Sequence, residues 1–369
     1  ILQGLTATAM APQVLASIRV LFPAAEQARA LALYSATFGL ANICGQLLGG
    51  VLVSTQPFGL VWQAIFLINV PIGLVALVGS LLVLRDSRAE QAQKLDGGGV
   101  VLLSLTLTLL VYPLVEGREA GWPAWMIAML IACPVALAAF VRFEARLSAH
   151  GSDPLVTLSL FRNSGFAASL VMAVAFYMLS SFYLTFAVYL QSGLHRSPIE
   201  AGIATLPFAI GYFISSLVSS PIMQRLGVRA LTLGFALQVV GFGTVMLAVS
   251  QVLSTGLELG LVVAGVGFGI VMPSVIKAVL GNVNQRHAGL ASGVVISTFQ
   301  IGAALGVAVI GGVFYYALGA GQTASAYAHA FTVALGCNVA LLALGGLLSL
   351  WLAADQSNAA RATPAAKSL

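Results

Sequence analysis

Charge is what this sequence has least of. Asp, Glu, Lys and Arg make up 7% of its 369 residues, where a soluble domain carries roughly 25%. So few charges cannot keep a surface of this size in water, so most of the chain must be solvated by the hydrocarbon of a bilayer. Cysteine is scarce too. Cys44, Cys133 and Cys337 all fall in apolar stretches and none forms a CxxC pair, which points to apolar packing and away from disulfides or a structural metal. The four histidines, His150, His195, His287 and His329, are scattered over different loops and span ends. No P-loop, HExxH or nucleophile elbow is present. Gly265, Gly267 and Gly269 mimic a dinucleotide loop, but they follow no strand and lie inside an apolar run of membrane-spanning length. The expectation is therefore no enzyme, no catalytic residue, no cofactor and no metal. The net charge is +5, yet no Lys/Arg run could bind nucleic acid; the excess fits basic loops on one side of a membrane. A signal-peptide pattern is also lacking. The chain opens at Ile1 within an apolar segment, and the expectation is that its natural start lies upstream.

What is abundant is apolar sequence, at 59% of residues. A span needs about 20 mostly apolar residues. Eleven such segments are read, at 1–18, 30–53, 62–84, 98–115, 124–143, 166–190, 200–222, 229–249, 257–280, 288–317 and 329–353. With eleven spans, fourteen of the sixteen Lys and Arg fall on one side, and only Arg118 and Arg196 on the other. A missed or invented span would invert every later loop and spoil this split. The bias thus predicts a multi-pass inner-membrane protein with its C-terminus in the cytoplasm.

Glycine is plentiful, with 39 residues, and it clusters within the spans. Gly39, Gly45, Gly49 and Gly50 crowd one segment, with Gly45 and Gly49 at GxxxG spacing. Gly265, Gly267 and Gly269 precede Pro273, and Gly302, Gly306 and Gly311 follow Gln300. Small faces let helices approach closely. Pro71, Pro207, Pro221 and Pro273 lie in or near span ends, and together these features suggest a bundle built to move.

Several segments resemble the fourteen-span drug:proton antiporter branch of the major facilitator superfamily. The most specific runs from Trp62 through Phe66, Asn69 and Pro71 to Gly73, similar to the opening of that branch's sixth span. Leu2-Gln3-Gly4 resembles the end of a fourth-span motif. Gly39 to Gly50 resembles the fifth-span antiporter motif, with Gln46 where proline is usual. The order continues through Asp96 and Gly99, Glu116-Gly117, Phe143-Glu144, Gln191 to Gly193, Ser197-Pro198 and Leu206-Pro207 to Gln300-Ile-Gly302. Arginine is common in the family where Phe299 stands, so its role does not transfer.

The resemblance implies an all-α polytopic helix bundle with about eleven of fourteen spans present. Residues 1–84 would be the remainder of an N-terminal bundle. Residues 85–165 would hold two extra central spans and a loop, 166–354 a complete six-helix C-terminal bundle, and 355–369 a cytoplasmic tail. The implied substrate cavity would draw on Gln3, Asn42, Gln46, Tyr177, Tyr183, Ser274 and Gln300. Amides and phenols at midplane can hydrogen-bond or stack on a ligand. Arg225, Gly227 and Arg229 form a tight basic turn that resembles a cytoplasmic gate motif. No carboxylate falls at midplane, so the proton-binding group of an antiporter is expected on spans this chain lacks. Glu258 is the only acidic residue on an implied cavity helix, and it lies at a span end.

The function implied is secondary active efflux of amphipathic small molecules or drugs by alternating access, with protons as the coupling ion. The lipid bilayer is the other partner, and a monomer the working expectation. The alternative is a non-transporting membrane fragment or assembly subunit. With half of one bundle absent, the isolated chain is expected not to transport by itself.

Overall fold

The computed structural model describes residues 2–55, 57–60, 63–83, 96–117, 120–150, 155, 158–250, 256–281 and 288–362. Among these there is no β-strand. The helices are α1 (Leu2–Leu21), α2 (Ala24–Thr55), α3 (Gln63–Leu67), α4 (Asn69–Val83), α5 (Gly97–Glu116), α6 (Ala124–Ala149) and α7 (Ser164–Tyr177). They continue as α8 (Ser180–Val188), α9 (Pro198–Leu226), α10 (Arg229–Val249), α11 (Gly256–Gly281), α12 (Ala288–Leu305), α13 (Gly311–Leu318) and α14 (Ala324–Ala362). Ten helical segments among the described residues are long and apolar enough to cross a membrane. They match the second to eleventh expected spans, and α1, diluted by Gln3, Thr6, Thr8 and Pro12, occupies the first. The fold is thus an all-helical, multi-pass membrane bundle.

Local chemistry sets the helix ends. Ser197 opens α9 with a capping box: its side chain accepts from the Glu200 N–H, the Glu200 carboxylate accepts from the Ser197 N–H, and Pro198 occupies the first turn. Asn163 caps α7 by accepting from the N–H groups of Gly165 and Phe166. Gly227 ends α9 at φ +55°, a left-handed backbone that glycine adopts without strain. Between α3 and α4 the helix breaks at Ile68; Pro71 has no N–H to donate to the Leu67 carbonyl. Trp62, the first residue of that motif, lies outside the described residues.

Three helices form the most closely packed layer, α11 against α10 and α9, with α2 laid across α9. Glycines permit it. A Cβ on Gly241 would meet the α11 backbone at Ala264, and one on Gly260 the α10 backbone at Gly241. Gly265 and Gly269 lie against α9, and Gly267 against α10, so α11 is pressed on two sides. The α5–α6 hairpin packs chiefly on itself, with α5 also touching α12: Gly98 lies under the Phe143 ring, and Gly99 against the carboxyls of Asp96 and Glu144.

Two spans are not continuous α-helix. The 164–193 span breaks between α7 and α8 at Met178–Leu179 and ends in a π-helical turn, Tyr189–Gly193. Another π-helical turn, Gly306–Ile310, joins α12 to α13. The irregularities meet: Gly306 abuts the Met178 backbone, and Ser180 Oγ donates to the Ala303 carbonyl at 3.0 Å. Asn338 of α14, buried, donates to Ser181 Oγ at 3.1 Å.

Candidate functional site

Ser35, Asn42 and Gln46 recur at intervals of seven and four residues along α2, which puts them on one helical face. Tertiary packing turns this face inward, because Gly39 brings α2 to within van der Waals range of the Phe213 backbone and Gly50 does the same at Ile199. Gly39 and Gly50 are eleven residues apart, close to three whole turns. Gly45 and Gly49 fall on another side, where an added Cβ meets nothing within 4 Å. The contact with α9 therefore runs through Gly39 and Gly50, and not through the GxxxG pair.

Where α2 meets α7, α8, α9 and α11, an aromatic and polar cluster fills the interior. Asn42 Nδ2 donates to Tyr183 Oη at 2.9 Å, joining α2 to α8 across 141 residues of sequence. Tyr183 packs edge-on against Phe208, with ring centroids 5.9 Å apart. Tyr177 stacks face to face on Phe299, with ring centroids 3.9 Å apart and planes 12° off parallel. Phe268 packs against Phe176, Phe208 and Tyr212, and Tyr212 Oη donates to Met272 Sδ at 2.8 Å. Two acceptors in this cluster are spare. Ser35 is fully buried, and its Oγ has no hydrogen-bond partner among the described residues. Asn42 Oδ1 is likewise buried and unpartnered. Leaving such atoms unmade in a dry interior costs about 1–3 kcal/mol each.

The expected cavity residues separate into groups. Asn42, Tyr177 and Tyr183 come together in the cluster. Gln46 is half-buried one to two turns further along α2, with its backbone carbonyl against Gly202. Gln300 is exposed, while its neighbour Phe299 is buried against Tyr177. Ser274 bonds within its own helix, to the Ile270 carbonyl at 2.7 Å. It lines a different cavity, of about 300 Å³, with Met223, Gly227 and Lys277 at the basic end of the bundle. Gln3 lies on α1, and its side chain is outside the described residues. Arg225 and Arg229 are exposed on either side of Gly227. Glu258 is exposed in the first turn of α11. Tyr34, Ser35, Tyr212, Phe268 and Phe299 were not singled out as candidates from sequence. The usable signal was the α2 face, where Ser35 precedes Asn42 by seven residues.

The chain is thus a multi-pass helical membrane protein with an uncharged, hydrogen-bonding cluster between α2, α8, α9 and α11. The comparisons agree. The model of the Major Facilitator Superfamily matches residues 1–182 and 168–368, and the chain belongs to that superfamily. It is 36% identical over 330 residues to the "Probable actinorhodin transporter" of Streptomyces coelicolor, covering 88% of this chain and 57% of that protein. It is 34% identical to the "Tetracenomycin C resistance and export protein" of Streptomyces glaucescens, covering 84% of this chain and 57% of that protein. The "Puromycin resistance protein pur8" of Streptomyces alboniger is 32% identical, covering 99% of this chain and 75% of the relative. The chain spans little more than half the length of the first two. Drug and antibiotic exporters of the superfamily are thus its relatives, in keeping with the drug:proton antiporter branch its motifs resemble.

Proposed function

We propose that this chain is the larger part of a secondary active exporter of amphipathic small molecules. The observation that carries the reading is the Asn42–Tyr183 hydrogen bond within the aromatic cluster. It ties α2, in the first part of the chain, to α8, in the last, at the depth where a substrate must change sides. The name of the tetracenomycin C resistance and export protein, at 34% identity, supports outward transport, and that of the probable actinorhodin transporter, at 36%, supports transport of a small molecule. Residues 1–84 act as one bundle with the segments that complete it, 166–354 act as the other, and 85–165 connect them. The two bundles rock about the cluster to give alternating access, and no covalent chemistry takes place.

Protons are the coupling ion in this reading. Their acceptor is not at midplane in the present sequence: the segments 30–55, 164–193, 201–224, 259–276 and 288–318 contain no Asp, Glu, Lys, Arg or His. In this reading the protein sits in the inner membrane as a monomer, and the basic loops support a cytoplasmic C-terminus. Everted vesicles from cells expressing this chain joined to the segments that complete its first bundle test the reading. They should accumulate an aromatic dye on energisation and release it when a protonophore collapses the gradient. Accumulation that survives the protonophore would remove proton coupling; no accumulation would remove the exporter reading.

A further inference from the structure

We propose that the groove between the basic ends of α10 and α14 holds an anionic phospholipid, with its headgroup on Arg229 and an acyl chain along α10. Three features lead to it.

The first is the groove itself. A cavity of about 480 Å³ opens between the start of α10 and the later turns of α14, lined by Leu226, Arg229, Thr232, Leu233, Leu350 and Ala353. That volume is within the roughly 300–1,000 Å³ of small-molecule sites. Ser349 Oγ donates to the Gly346 carbonyl at 2.6 Å, so Thr232 is the donor in its 2.8 Å bond with Ser349. Both hydroxyl protons are thereby used inside the protein. Arg229 is the side-chain donor left to the groove.

The second is charge. Arg229 is exposed, and the one ion pair among the described residues is Arg196 with Glu200, at the other end of α9. Arg225, beside Leu226, and Asp355, beside Ala354, flank the groove without lining it. The local balance is positive, and the start of α10 adds the positive end of its dipole. A planar guanidinium takes a phosphodiester through two parallel N–H···O bonds. Trp351, exposed one residue after Leu350, suits the same headgroup level.

The third is the surface that continues from the guanidinium. Leu233, Val240 and Leu247 are exposed and follow Arg229 at intervals of four, seven and seven residues, so they share its face of α10. Val240 is eleven residues from Arg229, a rise of about 16 Å, which matches the hydrocarbon depth of one leaflet, about 15 Å. On α14, Leu347 is exposed three residues before Leu350 and extends the other wall. A soluble anion would use the guanidinium and leave this track bare, whereas a lipid covers both.

The test is native mass spectrometry of the detergent-purified, delipidated protein, with this chain joined to the segments that complete its first bundle. It is titrated with dioleoyl phosphatidylglycerol, phosphatidylethanolamine and phosphatidylcholine. One phosphatidylglycerol should bind at least about fivefold more tightly than either zwitterionic lipid, the effect of one basic residue at a membrane surface. Arg229→Gln, an exposed position, should abolish that preference, and Arg196→Gln at the opposite end of α9 should preserve it. Equal retention of all three lipids by the unaltered protein means annular lipid only and overturns the proposal. So does a preference for phosphatidylethanolamine, which would give the site to a zwitterion held between Arg229 and Asp355. A phosphatidylglycerol preference that survives Arg229→Gln, or that Arg196→Gln also removes, places the lipid elsewhere and overturns it too. Displacement of phosphatidylglycerol by an equal concentration of glycerol 3-phosphate would make this a site for soluble anions and overturn the lipid assignment.

Discussion

At the scale of single residues, the strongest constraint is where backbone meets backbone. A Cβ at Gly39 would lie 2.9 Å from Phe213 Cα, and a backbone atom cannot swing aside as a side-chain tip can. Gly39→Val is therefore expected to destabilise the protein by about 1–3 kcal/mol through overpacking. Gly45→Ala meets open space and gains helix propensity, so it should be neutral or stabilising by up to about 1 kcal/mol. Thermal unfolding in detergent separates them; equal losses would place α2 differently on α9. The interior amides give a second expectation. Asn338→Leu removes the donor to Ser181 and should cost about 0.6–1.7 kcal/mol, the range for hydrogen bonds between membrane helices. No change in midpoint would show the bond to be immaterial. Asn42, Tyr177 and Tyr183 were legible in the sequence because polar residues are rare in apolar spans. Their neighbours Phe268 and Phe299 were not, because an aromatic in a hydrophobic run looks the same whether it faces lipid, another helix or a ligand.

At the scale of elements, the apolar runs located the helices well. Each expected span has its helical segment, with ends displaced by the local capping at Ser197, Asn163 and Gly227. The interruptions were hidden, because a π-turn is one extra residue accommodated inside a helix and leaves composition unchanged. Those interruptions are concentrated where α7–α8 and α12–α13 touch, at Met178 and Gly306. Deleting Val307 should heal the Gly306–Ile310 turn into regular α-helix while α13 keeps its face towards α14. The expected result is a folded protein destabilised by about 1–3 kcal/mol, since Gly306 and Ile310 are buried in that turn and must repack. Dye export should nonetheless be lost, because Gly306 no longer meets the break in the partner span. Retained export would mean that the paired irregularities are packing accidents and no hinge.

For the whole molecule, the governing fact is the asymmetry of charge. Among the described residues the one ion pair is Arg196 with Glu200, exposed at the start of α9. Arg225 and Arg229 lie at the other end of that helix and the start of the next. A helix of 29 residues separates them, a rise of about 43 Å at 1.5 Å per residue, enough to cross hydrocarbon and both interfaces. The two ends of α9 must therefore face different compartments. In the proposed orientation Arg225 faces the cytoplasm and Arg196 the opposite side, which the basic excess supports. In a background lacking Cys44, Cys133 and Cys337, a membrane-impermeant maleimide added to intact cells should label the Arg196→Cys variant. It should spare the Arg225→Cys variant until the membrane is permeabilised. The reverse pattern would invert the whole chain, because each span fixes the side of the next loop. Labelling of both from outside would mean that α9 does not cross the membrane, and the site at Tyr212 on that helix would lose its midplane position.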